Sequence, residues 1–297
     1  MLYDIRLRVI YEYESPTASN RNLVRIFPLD LAGVQRPIVT ELTLSPRPTE
    51  RSQFHDFFGN AVQDVFIREP HSDLEIRVQS RVERLVPTFA GNEGSLGELR
   101  ARVAEVKALG PDSPHHFIGR SPRVRPSTAL REWAMTHVKP EMPVSEAVRT
   151  LGRALHARMA FDPEATSVET THEEAFTLRR GVCQDFTHIM IAALRSLGVP
   201  AGYVSGVLRT IPPPGKVRLS GADAMHAWTR AWCGPDAGWF EYDPTNTMDA
   251  GVDHVAFARG RDYFDVSPVK GVLRTSGEHE SKQQIDVIEV DSGLSIV

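Results

Sequence analysis

The 297-residue chain has little cysteine, no long apolar run and no marked excess of either charge. Only Cys183 and Cys233 are present, too few for a disulfide framework in a chain of this length and compatible with a reducing compartment. Arg195 interrupts the longest apolar helical stretch, so no segment reaches the roughly 20 residues that a membrane span requires. The opening run Met1-Leu2-Tyr3-Asp4-Ile5-Arg6 lacks the basic leader and apolar stretch of a secretory signal. A formal net charge of −4, with arginines and carboxylates interspersed, gives neither nucleic acid nor an anionic membrane a reason to bind. The expectation is a cytoplasmic protein. No Asp-x-Asp-x-Asp-Gly loop, internal repeat or low-complexity tail occurs, so calcium activation is not expected.

The length exceeds the usual size of one hydrophobic core, which favours two domains. Residues 1–86 carry β-type runs at Tyr3–Tyr13, Leu23–Phe27, Ile38–Leu44, Ala61–Ile67 and Leu74–Val78, punctuated by Asn20, Pro46-Arg47-Pro48 and Phe58-Gly59-Asn60. Alternating polarity between turn residues predicts an antiparallel β-sandwich or small barrel. Residues 87–126, rich in Gly, Pro and Ser, read as a linker with a short helix near Leu99–Leu109. His115 and His116 within it lack a companion Cys or carboxylate cluster and read as solvated loop residues.

Residues 127–297 mix helix and strand signals. Ser127 suits an N-cap for a helix to about His137, and Pro143 a first helical position for the apolar stripe Val144, Val148, Leu151, Leu155 and Met159. Thr171-x-x-Glu174 has the spacing of a capping box, which explains the acidic stretch 164–174 without a cation. Gln284–Val290 alternates as a closing strand. The whole reads as an α+β chain.

The run Arg179-Arg180-Gly181-Val182-Cys183-Gln184-Asp185-Phe186 sets a cysteine where an apolar-periodic helix begins: Phe186, Ile189, Met190, Ala193, Leu194 and Leu197 share a face, and Gly198 and Pro200 end it. Unpaired N–H groups and partial positive charge at a helix start favour a thiolate and later an oxyanion. Downstream, Met225–Cys233 and Gly238–Asp243 read as strands around the turn Gly234-Pro235-Asp236. A hairpin centred between Gly234 and Pro235 brings His226 directly opposite Asp243, within reach of a carboxylate–imidazole hydrogen bond. A one-residue slip would put them on opposite faces.

These blocks, Arg180-Gly181-Val182-Cys183-Gln184-Asp185-Phe186, Leu197-Gly198-Val199-Pro200-Ala201, His226-Ala227-Trp228 and Asp243-Pro244-Thr245-Asn246, together with Gly260-Arg261-Asp262-Tyr263-Phe264-Asp265-Val266-Ser267-Pro268, resemble the transglutaminase-like superfamily. The closer likeness is to its bacterial transglutaminase-like cysteine protease branch with an N-terminal β region. The resemblance implies a papain-like core, a helical layer bearing the cysteine on an antiparallel sheet. It also implies Cys183 as nucleophile, His226 as general base then acid, and Asp243 as the orienter of the histidine. The Pro-rich link Ile211-Pro212-Pro213-Pro214-Gly215 cannot pair in a sheet and is expected to project near the cleft.

The expected reaction is thiol-dependent hydrolysis of a protein or peptide amide through an acyl-enzyme. Acyl transfer to an amine shares every step up to the acceptor, and a non-catalytic scaffold is the rival from another class. Gln184, Asp185, Trp228 and Tyr263 are further candidates for the substrate cleft. Gln184 could donate to the oxyanion, while Asp185 could simply cap the helix. Cys233 and His188 read as structural, no metal or other cofactor is called for, and the oligomeric state is left open.

Overall fold

The computed structural model describes residues 1–89, 93–211, 221, 223–274 and 279–290. The N-terminal region is built on strand β1 (Leu2–Val24), followed by β2 (Gln35–Ser45), β3 (Glu50–His55), β4 (Ala61–Ile67) and β5 (His71–Arg84). The first part of β1 pairs antiparallel with β5, Leu7 facing Val78, and β2 lies on the far edge of β5. After a register shift between Glu12 and Thr17, the second part of β1 pairs with β4, and β3 extends that sheet. Two antiparallel sheets therefore share one strand, the way a sandwich turns its corner. Alternation drives the pairing: Leu74, Ile76, Val78, Ser80, Val82 and Arg84 of β5 are buried at every second position.

The second half begins with α1 (Leu99–Glu105), a single 3-10 turn (Pro114–Phe117), α2 (Thr128–Met135) and α3 (Val144–Arg158). Ser127 caps α2 by accepting from the Leu130 N–H at 3.4 Å. Pro143 stands one residue earlier than expected, as the N-cap of α3. Strands β6 (Ala160–Phe161) and β7 (Arg180–Gly181) pair in parallel around α4 (His172–Leu178). The capping box of α4 forms: Thr171 Oγ1 accepts from the Glu174 N–H at 3.3 Å, and Glu174 Oε2 accepts from the Thr171 N–H at 2.8 Å.

Helix α5 (Cys183–Ser196) leads into the central sheet of β8 (Ala201–Leu208), β9 (Met225–Trp232), β10 (Trp239–Asp243), β11 (Met248–Asp249) and β12 (His254–Gly260). Its order is β11-β10-β9-β8-β12, and the turn α6 (Tyr263–Val266) follows. One apolar cluster joins Phe186, Ile189, Met190 and Leu194 of α5 to Leu151 and Leu155 of α3 and to Ala227, Ala231 and Tyr242 of the sheet. Truncating Phe186, Ile189, Met190, Leu194, Leu151 or Leu155 to alanine is expected to cost about 2–5 kcal/mol. A second cluster fills the N-terminal sheets and takes in Val207, Val255 and Phe257 of the central sheet, so that sheet is packed by helices on one side and by β structure on the other.

The chain ends by returning to its start. Strands β13 (Val269–Arg274) and β14 (His279–Glu289) both pair with β1, Val24 facing Val269 and Tyr3 facing Glu289. Both strands therefore add to the N-terminal sheet. The Pro-rich link lies outside the described residues from Pro212 onward.

Candidate active site

Cys183 occupies the first turn of α5 and is half-buried. The residue before it, Val182, has no side-chain oxygen to cap with, so the helix start is secured from the other direction. Asp185 Oδ2 accepts from the Val182 N–H at 2.8 Å and from the Thr166 hydroxyl at 2.6 Å, half of a capping box. Gly181 is required by this arrangement, because a Cβ there would lie 2.4 Å from Asp185 Oδ2. At the far end, Gly198 adopts φ +84°, and the Val199 N–H closes back on Leu194 O at 3.0 Å, a helix stop suited to glycine.

His226 and Asp243 come from the β9–β10 hairpin, whose register differs from expectation by two residues. Tyr242 faces Thr229 and Trp239 faces Trp232, so Asp243 falls opposite Trp228 and diagonal to His226. The loop spans Gly234 to Gly238, wider than the turn residues alone suggested, with the Cys233 N–H donating to Gly238 O at 2.8 Å. A shift of two preserves the face, and diagonal partners remain within reach of long side chains. His226 Nε2 lies 2.7 Å from Asp243 Oδ2.

Asp243 is wholly enclosed and richly bonded. Its Oδ1 accepts from the N–H groups of Thr245 at 2.9 Å and Asn246 at 3.1 Å. Its Oδ2 accepts from Asn246 Nδ2 at 2.7 Å and stands 3.2 Å from His254 Nε2. Burial alone would favour the neutral acid, but His226, His254 and Asn246 hold the carboxyl far below the usual carboxylate range. Burial likewise opposes a charged His226, and hydrogen bonds to Asp243 and to Cys183 outweigh it and raise the imidazole to about 10. The Cys183 thiol thus acts electrostatically on His226, and with Nε2 facing Asp243, Nδ1 is the nitrogen open to a further partner.

The weaker candidates fall in different places. Asp185 is 1% exposed, and its bonds make it a cap. Trp228 is fully enclosed, correcting its assignment to the cleft: it stacks beside His226 at 6.2 Å between ring centroids, and its Nε1 donates to Glu241 at 2.7 Å. Gln184 reaches Val168 O at 3.4 Å. Tyr263 is half-buried; its N–H donates to His188 Nε2 at 3.2 Å, and its ring packs edge-on to Tyr203. Tyr203, Tyr263 and Cys183 belong to the same apolar cluster. Cys233 is buried and its thiol is pushed up by burial. His115 and His116 turn their Nε2 atoms to the carbonyls of Val106 and Leu109.

His254 was missed. It sits inside the β-type run His254-Val255-Ala256-Phe257-Ala258, where a period of two gives a histidine no distinction, and only the fold brings it to Asp243. His226, Asp243 and His254 put ligand-type atoms within 4.8 Å of one another. However, His254 Nδ1 accepts the Gly251 N–H at 3.2 Å, so its Nε2 carries the hydrogen toward Asp243. That is the pattern of donors converging on a carboxylate rather than of lone pairs on a cation.

Comparison with known proteins agrees with this architecture. Residues 3–83 match the bacterial transglutaminase-like N-terminal region, and residues 131–244 match the transglutaminase-like superfamily. The chain belongs to that superfamily. It is 34% identical over 282 residues to an uncharacterized protein of Mycobacterium tuberculosis, covering 93% of this chain and 89% of that one. To an uncharacterized protein of Mycobacterium leprae it is 29% identical over 279 residues, covering 92% and 94%. Among solved structures, a candidate cysteine protease of Cytophaga hutchinsonii shares the fold, with a TM-score of 0.73 at 20% identity over 98% of this chain and 91% of that one.

Proposed function

We propose that the protein is a thiol-dependent amide hydrolase, a cysteine peptidase or amidase acting on a protein or peptide through an acyl-enzyme. The observation that carries this reading is the His226 imidazole held at 2.7 Å by the buried Asp243 carboxylate, with the Cys183 thiol at the start of α5 acting on the same ring. His226 takes the thiol proton, the sulfur attacks the carbonyl carbon, and N–H groups of the first helical turn stabilise the oxyanion. The His226 imidazolium then protonates the leaving amine. Water, giving its proton to His226, cleaves the thioester and frees the acid and the thiol. Hydrolysis is favoured over transfer to an amine because it needs no second bound substrate. The proposed compartment is the cytoplasm, where the free thiols of Cys183 and Cys233 stay reduced.

The test is a peptide library assayed in parallel for new free acids and for uptake of a labelled primary amine, with Cys183→Ala as control. Acid release that vanishes in the variant, at unchanged melting temperature, supports the hydrolase. Amine uptake in place of acid release supports a transferase, and undiminished turnover in Cys183→Ala overturns both.

A further inference from the structure

One oxygen of Asp243 faces two imidazoles, and only one of them can reach a substrate. His254 is 1% exposed, yet its Nε2 lies 3.2 Å from the same Oδ2 that His226 engages. A neutral imidazole offers one donor and one acceptor. The Gly251 N–H occupies the Nδ1 lone pair at 3.2 Å, so the tautomer is fixed with the hydrogen on Nε2.

The segment that carries His254 is gripped from the N-terminal sheets. Arg84, at the end of β5, donates to the carbonyls of His254 at 2.7 Å and Gly251 at 3.3 Å. Gln35 of β2 brackets Ala256, donating to its carbonyl at 2.7 Å and accepting its N–H at 2.9 Å. The Tyr3 hydroxyl of β1 meets Asp253 Oδ1 at 3.1 Å. Three strands of the N-terminal region thus converge on residues 251–256.

We propose that His254 is a positioning residue for the His226–Asp243 pair, a neutral donor set by Gly251 and by the N-terminal β region that locks Asp243 Oδ2 in place for His226. A carboxylate fixed at both oxygens cannot rotate away from its imidazole, and a donor that shares Oδ2 draws off part of the charge that would otherwise fall on His226. The other charged groups around the pair are Cys183 beyond His226, the Glu241–Arg259 pair across Trp228, Asp253 with Arg209, and Arg84 at the backbone. The proposal also gives the N-terminal region a task in the site. It rests on the thiol–imidazole–carboxylate reading above.

Two substitutions in the full chain separate this role from filling of space. In His254→Gln the side-chain amide N–H can take the place of Nε2–H, whereas in His254→Asn the shorter side chain stops short of Asp243. His254→Asn is expected to lower kcat on a cleaved peptide about tenfold with KM little changed, and to move the ring titration of His226, followed by nitrogen-15 NMR, to higher pH. His254→Gln is expected to restore both. Parent-like behaviour of His254→Asn, or equal loss in both variants with the His226 titration unmoved, overturns the proposal. In the parent, the ring spectrum should show the His254 hydrogen on Nε2, with Nδ1 accepting from Gly251; the opposite tautomer, or zinc bound stoichiometrically and lost on substitution, overturns it as well. The NMR readings need no substrate, so a parent that cleaves nothing counts against the hydrolase while leaving the positioning role decidable.

Discussion

His226 and Asp243 are diagonal rather than opposite across the β9–β10 hairpin, and Asp243 Oδ2 still reaches to 2.7 Å from His226 Nε2. Asp243 is held by the backbone of Thr245 and Asn246 on one oxygen and by three side chains on the other. Asp243→Asn keeps the shape but sets an amide N–H against the donors of His254 and Asn246. Such a change should cost a factor of about a thousand or more in kcat, by analogy with loss of the orienting acid in serine proteases. Steady-state kinetics with a matched thermal melt would check it, and a kcat within threefold of the parent would deny Asp243 an orienting role.

Two histidines should shape stability in opposite directions. His188 is buried and accepts from Tyr263; burial, aided by His172, Arg123 and Arg195, lowers its pKa to about 3. The unfolded chain therefore binds a proton there near pH 6.5 that the folded chain refuses, and stability falls as pH drops from about 6.5 toward 3. His226, raised to about 10, contributes stability that is full below about pH 6.5 and fades as pH climbs toward 10. Denaturant melts across pH should peak near 6.5, with His188→Gln flattening the acid side and His226→Gln the alkaline side.

The two thiols should differ in access. Cys233 is fully buried while Cys183 is half-buried. Iodoacetamide at neutral pH, followed by peptide mapping, should mark Cys183 and spare Cys233 until the chain is denatured. Cys233→Ala should lower stability by about 1–2 kcal/mol and leave turnover intact.

Asp185 should behave as a cap. Asp185→Ala removes acceptors from the Val182 N–H and the Thr166 hydroxyl, a loss of about 1–3 kcal/mol. A melting temperature that falls while KM stays constant is the expected result, and a KM effect without loss of stability would return Asp185 to the substrate cleft.

Much of this was legible in the sequence because the signals were local. Periodicity and Gly198 placed α5 and put Cys183 in its first turn, Thr171 and Glu174 announced their capping box, and β-type runs gave the N-terminal strands. The hairpin kept its face but not its register, since Gly234-Pro235-Asp236 marks a turn without fixing the five-residue loop that forms. Strand β3, Glu50–His55, escaped notice because all six residues are exposed and alternate with nothing. The pairing of β13 and β14 with β1 spans nearly the whole chain, beyond the reach of any local pattern. Trp228 looked like a cleft residue by sharing a face with His226; the N-terminal region that covers that face is a tertiary fact. His254 was hidden for the same reason.

If Cys183 forms the acyl-enzyme, a pre-steady-state reaction with p-nitrophenyl acetate will capture it. A burst of about one nitrophenolate per chain is expected, with the acetyl group found on the Cys183 peptide by mass spectrometry and both lost in Cys183→Ala. Acetylation at any other residue, or a burst that survives in Cys183→Ala, would contradict it.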